Sequence, residues 1–289
     1  METVIVTAHT RGDFLKACLL RLLAADDESL RYLVAVDRGY TPEVRTVASW
    51  FLRKVGTRRC TVVYRSHQYR GNSYNVLASY REALVGTVPI RNRPGPDLVH
   101  LVEEDILVGA DYFDFHRRAH ELVPDAFSVS ACRNQYYPVG TEPEADDTAV
   151  YRHGSYQSIG VSFRPEPLRR GLAHAVPAFF RDQVGYCARN FPHTKINRSH
   201  AEQDGLLHRV LEQEGASTVY AAVPRAYHVG FVGYHRNGQR PEGSLDERAE
   251  AILAMSAEEL NRRAHSYPDH TTVPLDGHRA PVSKIITWP

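Results

Sequence analysis

The sequence has no run of apolar residues long enough to cross a membrane, which takes about 20 residues in a helix. The apolar stretch TVIVTA near the start is short, and His9 and Arg11 follow it closely, so it predicts a strand and not a signal peptide. The four cysteines stand far apart, without the spacing of a metal site, and we expect free thiols. These absences predict a soluble, cytoplasmic protein.

Two phosphate-binding motifs are also missing. No G-x-G-x-x-G follows the first predicted strand, and no G-x-x-x-x-G-K-[ST] occurs anywhere in the 289 residues. Dinucleotide-dependent dehydrogenases and P-loop NTPases are therefore excluded as first choices. The formal net charge is only +1, so bulk charge does not predict a polyanion-coating protein, although a local basic groove is compatible with it.

Strand and helix patterns alternate through the first third of the chain. Strands are predicted at 3–8, 31–39, 60–66 and 98–105, and helices at 11–26, 41–56 and 72–86. Thr41 and Pro42 suit the start of the second helix. Since these strands are apolar throughout, we expect an α/β fold whose mostly parallel sheet is covered by helices on both faces.

After Asp105 the pattern is less regular. The predicted elements are a helix at 110–123, a strand at 127–134, a long loop region at 136–157, a helix at 201–215, a strand at 217–230 and a helix at 244–264. A tail rich in Pro and His, with little pattern, ends the chain. Function tends to concentrate in long loops of this kind.

Carboxylates follow two of the predicted strands. Asp37 ends the second strand, and Glu103, Glu104 and Asp105 end the fourth. Open parallel sheets bind ligands beyond the carboxyl ends of their strands. Carboxylate oxygens suit Mg²⁺ or Mn²⁺, which bridges to phosphate. The alternative is a solvated exit from the strand.

Two later segments add to the carboxylates. Asp204 opens a helix, where the helix dipole favours an acid that can serve as a general base. The segment VPRAYHVGFVGYHRNG carries His228 and His235, with Gly230 and Gly233 suited to close approach of a ligand. The alternatives are an ordinary helix-start acid and a polar surface loop.

These pieces, taken in order, resemble a known family. The stretches VIVTAHTRGDFLKACLLRLL, LVAVDRGYTPEV, YNVLASYREAL, LVEEDILVGADYFDF, FSVSACRNQ, VYRHGSYQSIGVSF and PRAYHVGFVGYHRNG are similar to the GT-A nucleotide-sugar glycosyltransferases. The likeness is greatest to the family of N-acetylglucosaminyltransferase I and the protein-O-mannose N-acetylglucosaminyltransferase. It covers residues 3 to 238 and does not extend into the tail.

The resemblance implies a division of the chain. Residues 1–105 would form a nucleotide-sugar-binding half, and 106–242 the acceptor and catalytic half of the same GT-A domain. Residues 243–289 would form a C-terminal helix and tail. The implied activity is metal-dependent, inverting transfer of a sugar from a UDP-sugar, with GlcNAc or another hexose as the sugar. Mn²⁺ or Mg²⁺ would be the cofactor.

The family also implies a role for each site residue. In its acidic motif, here E-E-D where the family usually has E-D-D, Glu103 would face the donor sugar, Glu104 the ribose or sugar, and Asp105 the metal. Arg11 and Asp37 match the positions that hold the uracil base.

The catalytic and diphosphate positions come from the second half. Asp204 matches the catalytic base, in a segment that lacks the family's tryptophans, and Glu202 competes for that role. His228 or His235 would touch the diphosphate or the metal.

The acceptor stays open at this point. A glycan, a small molecule, a protein hydroxyl or a 5-hydroxymethylpyrimidine in DNA would fit. The segments YRSHQYRGNSY, IRNRPG and YHRNGQR, which are basic and in part aromatic, are the features that would serve DNA. Two further classes compete. They are a non-catalytic nucleotide-sugar-binding module, and a nucleotidyltransferase or phosphatase, for which the AHTRGDF segment has too few glycines and basic residues.

Overall fold

A computed structural model describes most of the chain. It covers residues 1–69, 71–85, 95–132, 146, 148–198, 200–233, 236–237, 239–255 and 282–286. Within these residues, no helix is both long and apolar enough to span a bilayer.

The first part of the chain builds four parallel strands linked by helices. The strands are β1 (Glu2–Ala8), β2 (Leu30–Val36), β3 (Cys60–Tyr64) and β4 (Leu98–Glu103), and the helices are α1 (Gly12–Ala24), α2 (Pro42–Val55) and α3 (Ser73–Val85). The side chain of Thr41 caps α2 by accepting a hydrogen bond from the backbone N–H of Val44 at 3.4 Å. The predicted alternation of strand and helix is confirmed here.

The second part mixes short strands and helices. Its strands are β5 (Ile106–Val108), β6 (Ser128–Ser130), β7 (Ala149–His153), β8 (Val161–Phe163), β9 (Thr218–Ala221), β10 (Ala226–His228), β11 (Val232–Gly233), β12 (Arg236–Asn237) and β13 (Lys284–Ile286). Its helices are α4 (Tyr112–Leu122), α5 (Pro165–Leu172), α6 (Pro177–Arg181), α7 (Gln183–Asn190), α8 (Gln203–Glu214) and α9 (Leu245–Ala254).

Nine strands form one sheet in the order β13-β7-β9-β6-β8-β4-β1-β2-β3. Strands β4, β1, β2 and β3 run parallel to one another. Strand β8 is antiparallel to both of its neighbours, β4 and β6, and β7 is antiparallel to β9. The remaining pairs, β6 with β9 and β7 with β13, are parallel. The predicted α/β fold with a mostly parallel sheet flanked by helices is confirmed.

The sheet buries apolar side chains on both faces, as the strand pattern predicts. In β1, Val4 and Val6 belong to a core cluster shared with α1, α2 and α4. Ile5, between them, belongs to a second cluster shared with α3 and α5 to α8. Successive strand side chains point to opposite faces, so one strand can serve both layers. Helix α9 packs on α1, and Phe14 and Ile252 belong to a third apolar cluster between them.

The structure differs from the predicted elements in several places. The strand expected at 217–230 is two strands, because the chain turns at 222–225, where Pro224 has no N–H for a ladder. The predicted loop region contains β7, and the tail contains β13, which pairs with it. Helices α5 to α7 fall in a stretch for which no element was predicted. The helix predicted at 244–264 corresponds to α9, which ends at Ala254, and residues 256–264 lie outside the described residues.

Gly160 provides a test of how tightly the second half is packed. Its φ is +53°, and a Cβ there would lie 2.7 Å from the Cβ of Ala226. Gly215 also has positive φ, +60°, but nothing lies within 4 Å of an added Cβ. We expect Gly215→Ala to cost about 1 kcal/mol of unfolding free energy from backbone strain. We expect Gly160→Ala to cost about 1 to 3 kcal/mol more, because overlap adds to the strain. Urea unfolding measures both, and equal losses would contradict the tight packing.

Candidate active site

The acidic triplet lies at the carboxyl edge of the parallel strands. Glu103 is the last residue of β4 and pairs with Thr7 of β1. The N–H of Glu104 donates to the carbonyl of Thr7 at 2.9 Å, and the N–H of Asp37 donates to that of Ala8 at 2.8 Å. The four carboxylates predicted for a ligand site therefore gather at one edge of the sheet.

Arg11, directly before α1, is bound to two of these acids. Its Nε donates to Glu104 Oε1 at 2.7 Å, and its Nη2 lies 2.8 Å from Asp105 Oδ2. Its Nη1 donates to the carbonyl of Val232 at 2.9 Å. The other oxygen of Glu104, Oε2, accepts from the N–H of His9 at 2.8 Å. Both oxygens of Glu104 thus have partners in the protein, and Arg11 joins three separate segments of the chain.

Asp105 faces His228 because two short strands bring them together. Strands β5 and β10 pair antiparallel with Ile106 opposite His228, and His228 Nε2 lies 3.3 Å from Asp105 Oδ2. Burial favours the neutral acid, but His228 and Arg11 outweigh it and hold the pKa of Asp105 well below its usual range. Asp105 is therefore ionised at neutral pH.

Gly230 leaves room beside this pair. A Cβ at Gly230 would lie 2.4 Å from Asp105 Oδ2 and 2.9 Å from His228 Nε2. A side chain there would fill the space that both polar atoms face. The close-approach role predicted for this glycine is consistent with the geometry.

Asp105 and His228 are the two neighbouring groups here that could hold a divalent ion. Among the described residues, no group of three or more His, Cys, Asp or Glu side chains has the arrangement of a metal site. Mg²⁺ is commonly held by one or two carboxylates together with substrate phosphates and water. An ionised carboxylate, an imidazole and the gap at Gly230 fit an ion of that kind, one completed by a ligand's phosphates.

Glu103 points toward the second half of the site. Its Oε1 accepts a hydrogen bond from Asn72 Nδ2 at 3.3 Å. Burial, followed by the charges of Asp105 and Asp204, raises the pKa of Glu103 well above its usual range. The mutual effect of these charges shows that all three carboxylates share one region.

Asp37 is bound to a histidine that the sequence patterns do not single out. His67 Nε2 lies 2.7 Å from Asp37 Oδ1. The His67 ring is 4.5 Å from the ring of Tyr74 and 6.2 Å from that of Tyr69. Its place just after the third strand, at the same sheet edge as the acids, is the signal that could have identified it.

Asp204 lies in the first turn of α8 and is held at one oxygen. Its Oδ2 accepts a hydrogen bond from Ser158 at 3.3 Å, whereas Oδ1 is buried and has no hydrogen-bond partner. Burial raises the pKa of Asp204 to about 6. Glu202 is the exposed N-cap residue of the same helix, and its side chain makes no capping hydrogen bond. The geometry therefore favours Asp204 over Glu202 as a base.

Two adjacent residues at the start of α3 connect the acidic triplet to α8. Asn72, directly before the helix, bonds Glu103, and Ser73, its first residue, bonds Gln203. The Ser73 hydroxyl is 3.0 Å from Gln203 Oε1 and accepts from the N–H of Gln203 at 3.2 Å. Asp204 follows Gln203 directly, so Asn72, Ser73 and Gln203 link the acidic triplet to the candidate base.

The structure brings together most of the predicted site residues. Direct contacts join Arg11, Glu104, Asp105 and His228. Glu103 and Asp204 belong to the same region as described above, and Asp37 lies at the same sheet edge. His235 lies outside the described residues. Of the three segments considered for DNA, 64–74 touches the site through His67 and Asn72, whereas most of 90–95 and part of 234–240 lie outside the described residues.

No family model and no curated protein matches the sequence. Several solved structures are similar to this one in their three-dimensional arrangement. The mannosyltransferase PcManGT from Pyrobaculum calidifontis, in complex with GDP-Man and Mn²⁺, is similar with a TM-score of 0.48 and 14% identity over 78% of this chain and 57% of that one. The galactosyltransferase LgtC, with donor and acceptor sugar analogues, gives 0.47 and 15% over 94% and 97%. S. aureus TarS with UDP-GlcNAc gives 0.45 and 8% over 93% and 72%.

These neighbours include sugar transferases, and they share a mixed α/β architecture with this chain. With TM-scores below 0.5 and identities of 15% or less, the likenesses carry no inference about what this chain binds or transfers. The resemblance to the N-acetylglucosaminyltransferase I family stays a prediction. The case for an activity depends on the site itself.

The raised pKa of Asp204 has a consequence for stability. The carboxyl has a pKa of about 6 in the folded protein against 3.8 for an unperturbed group, so folding disfavours its ionised form. The contribution of Asp204 to stability therefore falls as pH rises from 3.8 to about 6. Asp204→Asn has nothing to ionise, and we expect it to be more stable than wild type at pH 8, by up to about 3 kcal/mol. Below pH 3.8 the pH-dependent part of this difference disappears.

Denaturant unfolding at pH 8 and pH 4 measures the effect. Glu202→Gln is the matched control, because it removes an exposed acid two residues away, and we expect little change. An Asp204→Asn variant with the same pH dependence as wild type would contradict the buried, destabilised carboxylate.

Proposed function

We propose that this protein is a metal-dependent, inverting glycosyltransferase that moves a sugar from a UDP-sugar to an acceptor hydroxyl. One observation carries the proposal. A partly buried carboxylate, Asp204, has a pKa near 6 and one oxygen without a hydrogen-bond partner. Gln203, Ser73 and Asn72 link it to Glu103 of a second acidic group, whose charge suits a metal-bound diphosphate. A transferase of this class needs both parts, a base for the acceptor and a site for the charged leaving group.

The donor would lie along the carboxyl edge of the sheet. Asp37, held by His67, would meet the uracil base, as the family resemblance implies for this position. Glu103 would face the donor sugar. Asp105 and His228 would hold Mn²⁺ or Mg²⁺ with the diphosphate, and the ion would supply positive charge to the departing phosphate oxygens. The fixed contacts of Glu104 support a role in orienting Arg11, alongside the ribose contact that the family implies.

Asp204 would act on the acceptor. Its Oδ1 would take the proton of the acceptor hydroxyl while that oxygen forms a bond to the anomeric carbon. The bond from that carbon to the diphosphate oxygen would break, and its electron pair would leave with the diphosphate. Ser158, bonded to Oδ2, would keep Oδ1 turned toward the hydroxyl. A single displacement of this kind inverts the anomeric centre.

The identities of the sugar and acceptor belong to the proposal in its broad form. UDP-GlcNAc is the donor that the resemblance implies, and another hexose would use the same groups. A glycan, a small molecule or hydroxymethylated DNA would each offer the hydroxyl. Binding of a UDP-sugar without hydrolysis or transfer would instead support a non-catalytic module.

Asp105 provides the test of the donor site. Asp105→Ala removes the ionised oxygen that His228 and Arg11 face, so we expect the Mn²⁺-dependent affinity for a UDP-sugar to fall at least about tenfold. The measurement is the rise in melting temperature across a panel of UDP-sugars, with and without Mn²⁺, because a ligand of the folded state stabilises it by mass action. Asp125→Ala removes an exposed acid that pairs with Arg152 and is the control. Unchanged donor affinity in Asp105→Ala would refute the metal assignment.

Asp204 provides the test of the base. We expect Asp204→Asn to keep donor binding and to lose transfer or donor hydrolysis by a factor of about 10² to 10⁴. Glu202→Gln should keep most of the activity. In wild type, the rate should fall as pH drops through about 6, because the carboxyl then holds its own proton. Activity in Asp204→Asn together with its loss in Glu202→Gln would assign the base to Glu202.

A further inference from the structure

One oxygen at the site lies between a guanidinium and an imidazole. Asp105 Oδ2 is 2.8 Å from Arg11 Nη2 and 3.3 Å from His228 Nε2. The side chains of Arg11 and Asp105 are only 17% and 10% exposed, so the contact is largely shielded from water. Before any ligand arrives, the carboxylate oxygen that the proposed function assigns to a metal ion already has a cation on it.

Arg11 cannot move far from this position. Its Nε is bound to Glu104, its Nη1 to the carbonyl of Val232, and its guanidinium carbon lies 5.3 Å from the centre of the Phe14 ring. Glu104 is fixed in turn by the N–H of His9. A divalent ion that displaced the Asp105 contact would therefore remain close to the guanidinium.

This closeness disfavours the ion when it binds alone. Arg11 already balances one of the two negative charges of Glu104 and Asp105, and like charges in a shielded site repel strongly. A diphosphate adds negative charge beside the ion and beside Arg11. The repulsion is then compensated, and the guanidinium gains a partner in place of Asp105.

We propose that Arg11 is a built-in counter-cation that makes metal binding at Asp105 depend on the nucleotide diphosphate. The free protein holds the ion weakly, and the ion and the nucleotide bind together. This inference rests on the donor site of the proposed function. It gives Arg11 a role that differs from the base contact implied by the family resemblance, and the role follows from the contacts of its side chain.

Calorimetric titration of Mn²⁺, alone and with saturating UDP, tests the proposal. In wild type we expect UDP to raise the affinity for Mn²⁺ by at least about tenfold, and by linkage Mn²⁺ raises the affinity for UDP equally. Arg11→Gln keeps hydrogen-bond donors but removes the charge. We expect it to bind Mn²⁺ alone about tenfold more tightly than wild type and to gain less from UDP.

Two variants separate charge from shape. Arg11→Lys keeps the charge and should behave like wild type. Arg152→Gln removes an equal charge from the surface, where Arg152 pairs with Asp125, and should also behave like wild type. If Arg11→Gln fails to fold, Arg11→Met takes its place, because it also removes the charge and keeps an apolar stem beside Phe14.

The outcomes distinguish this inference from the proposed function. Equal Mn²⁺ affinity with and without UDP, equal affinity in wild type and Arg11→Gln, or no Mn²⁺ binding by either would overturn the inference. If UDP and UDP-sugars do not bind at all, the proposed donor is refuted. Inorganic pyrophosphate then replaces UDP in the same titrations, and the comparison of wild type with Arg11→Gln still tests Arg11.

Discussion

The ion group of Arg11, Glu104 and Asp105 is the interaction on which the rest of the site depends. Carboxylates placed side by side at a shielded sheet edge need a cation close by, and removing one partner of such a buried group typically costs about 3 to 5 kcal/mol. Arg11 meets this need and, in doing so, binds the start of α1, the turn after β4 and the first residue of β11 to one another. The same contacts that hold these segments together also define where a charged ligand can approach.

The two tasks of the proposed reaction, binding charge and moving a proton, fall to acids whose surroundings shift their pKa values in opposite directions. Asp105, beside Arg11 and His228, has a lowered pKa and carries its charge at any ordinary pH. Asp204, partly buried and bonded to Ser158 at one oxygen, has a raised pKa and accepts a proton near neutrality. Environments that separate the pKa values of nearby carboxyls in this way indicate which acid binds charge and which moves a proton. Glu103, between them, connects the two regions electrostatically.

The sequence predicted the parallel half of the fold well, because apolar strands, helix caps and short connections are local signals. It also predicted the meeting of Asp37 with the acidic triplet, since strand ends of a parallel sheet share an edge. It did not predict that Arg11 binds the acids, or that His67 binds Asp37, because both contacts join distant segments. The position of His228 opposite Asp105 depends on the antiparallel pairing of β5 with β10, which is only three residues long and leaves no clear periodic pattern. Ser158 lies in a stretch whose polar sequence gave no sign that it would be buried beside Asp204.

Asn72 and Ser73 together limit how far α8 can move relative to the acidic triplet. One bonds the donor-side acid and the other bonds the residue before the base, and neighbouring Cα atoms are separated by a constant distance of about 3.8 Å. A displacement of the sheet edge that preserves these two hydrogen bonds will therefore carry α8 with it. The spacing between Glu103 and Asp204 is then constrained by one peptide unit and two hydrogen bonds, without any contribution from the loops at the surface.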